Sequence, residues 1–332
     1  MKLRQKAGRG ALVLALLLAL ASPAAALEAE ALVPVGSAVG IELEMGGVLV
    51  VGLAEVETAA GPVRPAADAG IAPGDLIRSV NGRETRSAAD FLTAAAALDG
   101  AAVTVVADRM GTETAFTVQP AQTTEGVWQL GLWLRDGVSG IGTVTFYDPA
   151  SGVFGALGHG VNDLDSGALL PCADGCITGA HVTDVVRGER GRAGELCGEF
   201  DRETVRGSLE KNTARGIFGA GDFSAAGEAV PIADEDEVTL GPATILSNVR
   251  GDAVEEFDIE ISRIYRDCTD SRFLLLTVTD PALLEATGGI VQGMSGSPIL
   301  QNGKLIGAVT HVLLSDPARG YGISIEEMLE AA

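Results

Sequence analysis

Gln292-Gly293-Met294-Ser295-Gly296-Ser297-Pro298 is the string in this chain with the clearest chemistry. A serine hydroxyl becomes a nucleophile only beside a base that takes its proton, and the oxyanion that follows needs N–H donors converging on it. Gly293 lets the backbone turn so that its own N–H and that of Ser295 aim at one point, and Gly296 leaves room for substrate. Pro298 begins an extended run, and Gln301-Asn302-Gly303-Lys304 is a hairpin turn into Leu305-Ile306-Gly307-Ala308-Val309. The base must come from three histidines, His159, His181 and His311, because the chain has no others.

Followed by such a hairpin, the Gly-x-Ser-Gly-Ser-Pro string resembles the nucleophile loop of chymotrypsin-like serine proteases, in which the histidine comes well before the serine. His159 fits that order: it ends the apolar run Phe154-Gly155-Ala156-Leu157-Gly158 and is flanked by glycines, at a strand-to-loop junction where a base reaches substrate. His181 is the fallback and reads as an ordinary strand residue; His311 either lines the specificity pocket or faces solvent. The rival context, an α/β-hydrolase elbow, requires Gly-x-Ser-x-Gly before a helix, with Asp and then His downstream. Here Ser297 replaces the last glycine, a hairpin follows, and His311 precedes Asp316, so that reading fails. The carboxylate that should orient the imidazole is open among Asp163, Asp184, Asp201 and Asp280.

The elements that must position these groups are mostly strands. From about Val127 onward, short β-type runs alternate with glycine turns, which argues for a sandwich or barrel. Ser324 and Glu327 start one short helix at the end. Ahead of this lies a smaller α+β module over 36–120, with a tight turn at Val80-Asn81-Gly82 and a helix start at Ser87 and Asp90. Its strings Ala66-Ala67-Asp68-Ala69-Gly70-Ile71-Ala72-Pro73-Gly74-Asp75-Leu76-Ile77 and Val80-Asn81-Gly82 resemble PDZ domains attached to bacterial proteases. The resemblance implies that Val39-Gly40-Ile41 is a loop whose N–H groups hold a peptide carboxylate, the peptide adding as a strand to a sheet edge.

Residues 1–26 read as a signal peptide or N-terminal membrane anchor: Lys2, Arg4, Lys6 and Arg9 precede an apolar run and the small residues Ala24-Ala25-Ala26. The expected location is therefore outside the cytoplasm, with 27–35 an extended linker. The chain of 332 residues is 47% apolar and 20% charged, an ordinary globular composition with room for two domains. Its formal charge of −22 repels phosphate backbones, so no nucleic-acid partner is expected. Cys172, Cys176, Cys197 and Cys268 suit up to two disulfides in an exported protein. A zinc site from Cys172, Cys176 and Cys197 with His181 is the alternative, though Cys-x3-Cys is only loosely zinc-like. No metal or cofactor is expected in the reaction.

Longer strings narrow the family. Tyr147-Asp148-Pro149, Phe154 through Asp163, Lys211-Asn212-Thr213, and the stretch from Thr279-Asp280-Pro281 through Thr287-Gly288-Gly289-Ile290-Val291 to Ser295 and on to Gly307-Ala308-Val309-Thr310-His311-Val312 resemble the SpoIVB peptidase family of sporulation proteases. The resemblance implies a mainly β fold, with a PDZ domain followed over 127–332 by a chymotrypsin-like double β-barrel and a short C-terminal helix. It also implies that Ser295, His159 and Asp280 form the catalytic set. By the same resemblance the protein is exported to the forespore intermembrane space, processes itself, and cleaves a membrane-bound regulator to trigger sigma-factor activation. The competing reading is a catalytically inactive protease fold used as a PDZ scaffold that binds peptide C-termini.

Overall fold

The computed structural model describes residues 29–164, 167–266 and 271–332. The targeting segment expected over 1–26, and Cys268, lie outside the described residues. Among the described residues no helix is long and apolar enough to cross a membrane.

The principal elements, in chain order, are β1 (Ala31–Pro34), β2 (Ala38–Leu53), β3 (Leu76–Val80), α1 (Ala88–Ala95), β4 (Val103–Arg109), β5 (Thr112–Val118), β6 (Leu132–Tyr147), β7 (Val153–Ala156), β8 (Asp174–Val186), β9 (Glu195–Thr213) and β10 (Gly216–Gly221). They continue as β11 (Gly241–Arg250), β12 (Ala253–Ile264), β13 (Leu274–Val278), α2 (Pro281–Thr287), β14 (Pro298–Gln301), β15 (Lys304–Val312), β16 (Arg319–Ser324) and α3 (Ile325–Ala331).

Two closed rings of antiparallel strands make the larger domain. In the first, β2 pairs β6, β6 pairs β7, β7 pairs β10, β10 pairs β9, β9 pairs β8, and β8 returns to β2. In the second, β11, β12, β13, β16, β15 and β14 close on themselves. Closure leaves no sheet edge along the rings, and alternate residues fill each interior. Val39, Ile41, Leu43, Val144, Phe154, Ile177 and Ile217 form the first core. Ile245, Phe257, Ile259, Leu274, Leu276, Ile299 and Val309 form the second. The double barrel expected from the resemblance is therefore present. Helix α3, capped where Ser324 Oγ accepts from the Glu327 N–H, seats Ile325, Met328 and Leu329 against Leu32 of β1 and Phe146 of β6.

The PDZ domain is built on the far half of β2, which pairs β3, followed by β4 and β5, with α1 alongside. Its core is Val48, Val50, Ile77, Phe91, Val105 and Phe116. Ser87 and Asp90 form the expected capping box at the start of α1. The boundaries, however, differ from the sequence-based ones. Residues 27–35 are not simply a linker: β1 pairs β6, and Leu32 and Val33 are buried. The first half of β2 is a barrel strand, so the PDZ domain is an insertion between barrel strands β2 and β6. It does not precede the peptidase domain as a separate block over 36–120.

This overturns the carboxylate-loop assignment. Val39, Gly40 and Ile41 sit mid-strand, paired on one side with Gly142, Ile141 and Gly140 of β6 and on the other with Gly179, Thr178 and Ile177 of β8. Their backbone groups belong to these two ladders, and Gly40 faces the Phe200 ring with no room for a side chain. Cys172, Cys176 and Cys197 carry free thiols, which corrects the expected pairing among these three. Nor do they gather with His181, which sits on β8 and pairs with Asp252 at 2.8 Å.

Candidate active site

Ser295 and His159 reach the same place from opposite barrels. His159 follows β7 of the first barrel, and Ser295 precedes β14 of the second. Each meets a neighbouring residue of β15: Ser295 Oγ donates to the Thr310 carbonyl at 2.8 Å, and the His159 ring lies against that of His311, tilted at 40° with centroids 5.0 Å apart. Sequence reading left His311 open between pocket and solvent; its exposed ring covers that of His159.

The loop that carries Ser295 is pinned nearly peptide by peptide. Gln292 N–H donates to Gly194 O, Met294 N–H to Val291 O, Gly296 N–H to Val309 O, and Ser297 N–H to Met294 O. By contrast, the N–H groups of Gly293 and Ser295 donate to no acceptor among the described residues. Backbone donors left unpaired in an otherwise saturated loop are unusual, and they are what an oxyanion needs. Gly293 has φ +97°, where a side chain is strained, and its Cβ would press on Leu196 at 3.1 Å. At Gly296 the two barrels meet closely: a Cβ there would collide with the backbone of Thr143 and Leu157.

On the other barrel, Leu157 adopts φ 69°, a rare conformation for a branched residue, and turns the chain out of β7 into His159. Beyond it, Asn212 of β9 holds the loop: its side chain accepts from Val161 N–H and donates to Val161 O and Leu170 O. This accounts for Asn212 within the Lys211-Asn212-Thr213 string. Asp163, 4% exposed, is ion-paired with Arg135 at 3.2 Å.

His159 Nδ1 lies 2.9 Å from Gly160 O. A carbonyl can only accept, so Nδ1 carries the proton and Nε2 keeps its lone pair, the tautomer a general base requires. Burial pushes the pKa of His159 below its ordinary value, and the Gly160 carbonyl opposes that shift by stabilising the charged form.

The structure does not join Asp280 to His159. Asp280 is the N-cap of α2: Oδ1 accepts from Ala282 and Leu283 N–H at 2.8 and 3.0 Å, and Oδ2 faces Asp258 N–H at 3.4 Å. The physical reason is local, because Asp followed by Pro is the residue pair that starts a helix. The other candidates are placed elsewhere too. Asp184 binds its neighbour's N–H, Asp201 that of Glu203, and Asp163 pairs with Arg135. Among the described contacts, only the Gly160 carbonyl meets Nδ1.

Thr143 was not singled out from the sequence, yet it touches the loop twice: Oγ1 donates to Gly293 O at 2.7 Å and N–H to Ser295 O at 3.0 Å. Its only sequence signal is its place after a glycine in a β-rich run.

Comparison with known families agrees with this architecture. The model of the SpoIVB peptidase S55 family matches residues 126–329, and a PDZ-domain model matches residues 58–109. No curated protein matches the chain.

Proposed function

The chain belongs to the SpoIVB peptidase S55 family and carries a PDZ domain, and on that footing we propose that it is a working serine endopeptidase that acts outside the cytoplasm. The observation that carries this reading is the pair of undonated N–H groups, Gly293 and Ser295, beside a hydroxyl and a neutral imidazole. A scaffold with no reaction to perform would have no use for two unpaired donors there.

The chemistry follows from these atoms. With substrate in place, the Ser295 hydroxyl turns from Thr310 O toward His159 Nε2, which takes the proton as Oγ attacks the scissile carbonyl. The carbonyl oxygen becomes an oxyanion held by Gly293 and Ser295 N–H. The imidazolium then gives its proton to the leaving amine as the C–N bond breaks, leaving an acyl-serine. Water repeats the cycle, losing its proton to His159 and releasing the new carboxyl end. The Gly160 carbonyl on Nδ1 favours the imidazolium, the role a carboxylate plays in a triad.

The PDZ domain would supply a peptide partner, by strand addition at a place the sequence reading did not choose. Ala54 N–H donates to Gly131 O, so Leu132 and Leu53 form a non-hydrogen-bonded pair, and the N–H and C=O of Leu132 point away from β2. No strand among the described residues pairs β6 there, and α1 runs beside it with Ala88 N–H on Asp136 Oδ2. On this reading an added strand meets the open N–H and C=O of Leu132 rather than Val39-Gly40-Ile41, while the carbonyls of Leu130 and Gly131 are already held by Ala66 and Ala54 N–H.

Self-processing, and cleavage of a membrane-bound regulator to trigger sigma-factor activation in sporulation, are part of this proposal. Because β1 and the start of β2 are buried in the barrel, a self-cleavage point accessible in the folded protein lies before Ala31. The test compares purified wild type with Ser295→Ala. Wild type should label with a fluorophosphonate at Ser295 and shorten from its N-terminus over time; Ser295→Ala should do neither. An unlabelled wild type, or equal labelling of both, would refute the reading.

A further inference from the structure

We propose that Thr143 is a positioning residue for the oxyanion hole, an inference that rests on the peptidase reading above. Thr143 lies on β6 in the first barrel, whereas the hole lies in the loop that enters the second. Its hydroxyl donates to Gly293 O at 2.7 Å, its N–H donates to Ser295 O at 3.0 Å, and its carbonyl accepts from Leu157 N–H at 3.2 Å, two residues before His159. One fully buried residue thus grips both halves of the site.

The bonds fall in a telling order along the loop. The peptide between Gly293 and Met294 is held at both ends: its oxygen by Thr143 Oγ1, its N–H by Val291 O. The peptide between Ser295 and Gly296 is likewise held by Thr143 N–H and Val309 O. The N–H groups proposed to bind the oxyanion belong to the two alternate peptides, those ending at Gly293 and at Ser295. Each donor peptide is also held at its own oxygen, Gln292 O by Leu196 N–H and Met294 O by Ser297 N–H, and fixing the planes on either side keeps both free N–H groups from turning about those bonds. In the first of these fixed planes the Thr143 hydroxyl is the only side-chain group involved.

Without that hydroxyl, Gly293 O loses its partner and the peptide keeps only the Met294 N–H bond to Val291 O, so its plane can tilt about that end. Rotation carries the neighbouring donor off its aim. Because the oxyanion exists only in the transition state and the intermediates beside it, misaimed donors slow the chemical step and leave substrate binding alone.

Thr143→Val removes the hydroxyl at nearly constant shape, and Thr143→Ser keeps it. The measurements are the rate of Ser295 labelling by a fluorophosphonate, kcat and KM on fluorescein-labelled casein, and the thermal midpoint. For Thr143→Val we expect labelling rate and kcat to fall about 10–100-fold, within the range of a weakened oxyanion donor, with KM within about twofold. Thr143→Ser should recover most of the loss. A wild type that is active, with Thr143→Val equally fast, would overturn this inference alone. So would a loss confined to KM, or one that Thr143→Ser fails to restore. If Thr143→Val unfolds, Thr143→Ser still decides, since a folded, slow Thr143→Ser shows that the hydroxyl is not the agent. A wild type inert to probe and casein would overturn the peptidase reading, and this inference with it.

Discussion

The second barrel presents Ser295 on a loop whose peptides are bonded one after another, while the first presents His159 beyond a strained residue, with a single carbonyl at Nδ1. The difference teaches how precision is divided. On the proposed reading the oxyanion donors must be aimed to within a fraction of an ångström, and between Gln292 and Ser297 every N–H except those two donates to a carbonyl. On the same reading the imidazole needs a tautomer and freedom to pass a proton between two partners, and a carbonyl at Nδ1 with the tilted His311 ring beside it allows that.

The largest effect expected from this contrast is at Gly293. Gly293→Ala forces a side chain onto a backbone at φ +97° and against Leu196, so the loop must shift. We expect kcat to fall by about 10²–10³, as for loss of one oxyanion donor, in a protein that still folds. A variant within threefold of wild type would show that the loop is not the rigid partner of the two.

Asp280 sharpens the other side of the comparison. As an N-cap, Asp280→Ala should cost about 1 kcal/mol of stability, read as a lower denaturation midpoint. Asparagine also caps, so Asp280→Asn should retain stability and keep kcat to within about tenfold. A drop approaching 10⁴ with the fold intact, the loss seen when a triad carboxylate becomes an amide, would mean that the carboxylate comes to His159 in the working enzyme.

The smallest effect concerns pH. On the proposed reading His159 is the base and must be neutral; burial lowers its pKa, so protonation should disable it only below the ordinary histidine value of 6.5. The acid limb of kcat/KM should therefore have its midpoint below pH 6.5. A midpoint above that value would mean that a negative charge reaches the imidazole after all.

Much of this was legible in the residues. The turns at Gly293-Met294-Ser295-Gly296 and at the glycines around His159 were readable, because turn chemistry is local. The PDZ strings and both helix caps were readable for the same reason. The fate of Val39-Gly40-Ile41 was not, since a small-residue apolar run reads alike as a binding loop or as a strand paired on both sides, and strand partners are chosen far along the chain. The N-cap role of Asp280 was passed over because the string around it carries family resemblance and helix-start chemistry at once. Thr143 acts on a loop 150 positions away, and no local pattern announces such a contact.

The insertion of the PDZ domain between β2 and β6 also bears on how the chain reaches its fold. Leu53 and Leu132 are paired within the PDZ domain, and the same two strands run on, still paired, to Ala38 and Thr143 in the barrel. If the PDZ domain folds first, it delivers these strand ends side by side. It then removes a loop-closure entropy of about 4 kcal/mol that a disordered insertion of this length would impose. A chain with that insertion unfolded would have to close its first barrel across the gap, and slowly. The peptide-binding domain would then serve, before it meets any partner, as the nucleus on which the catalytic barrel is assembled.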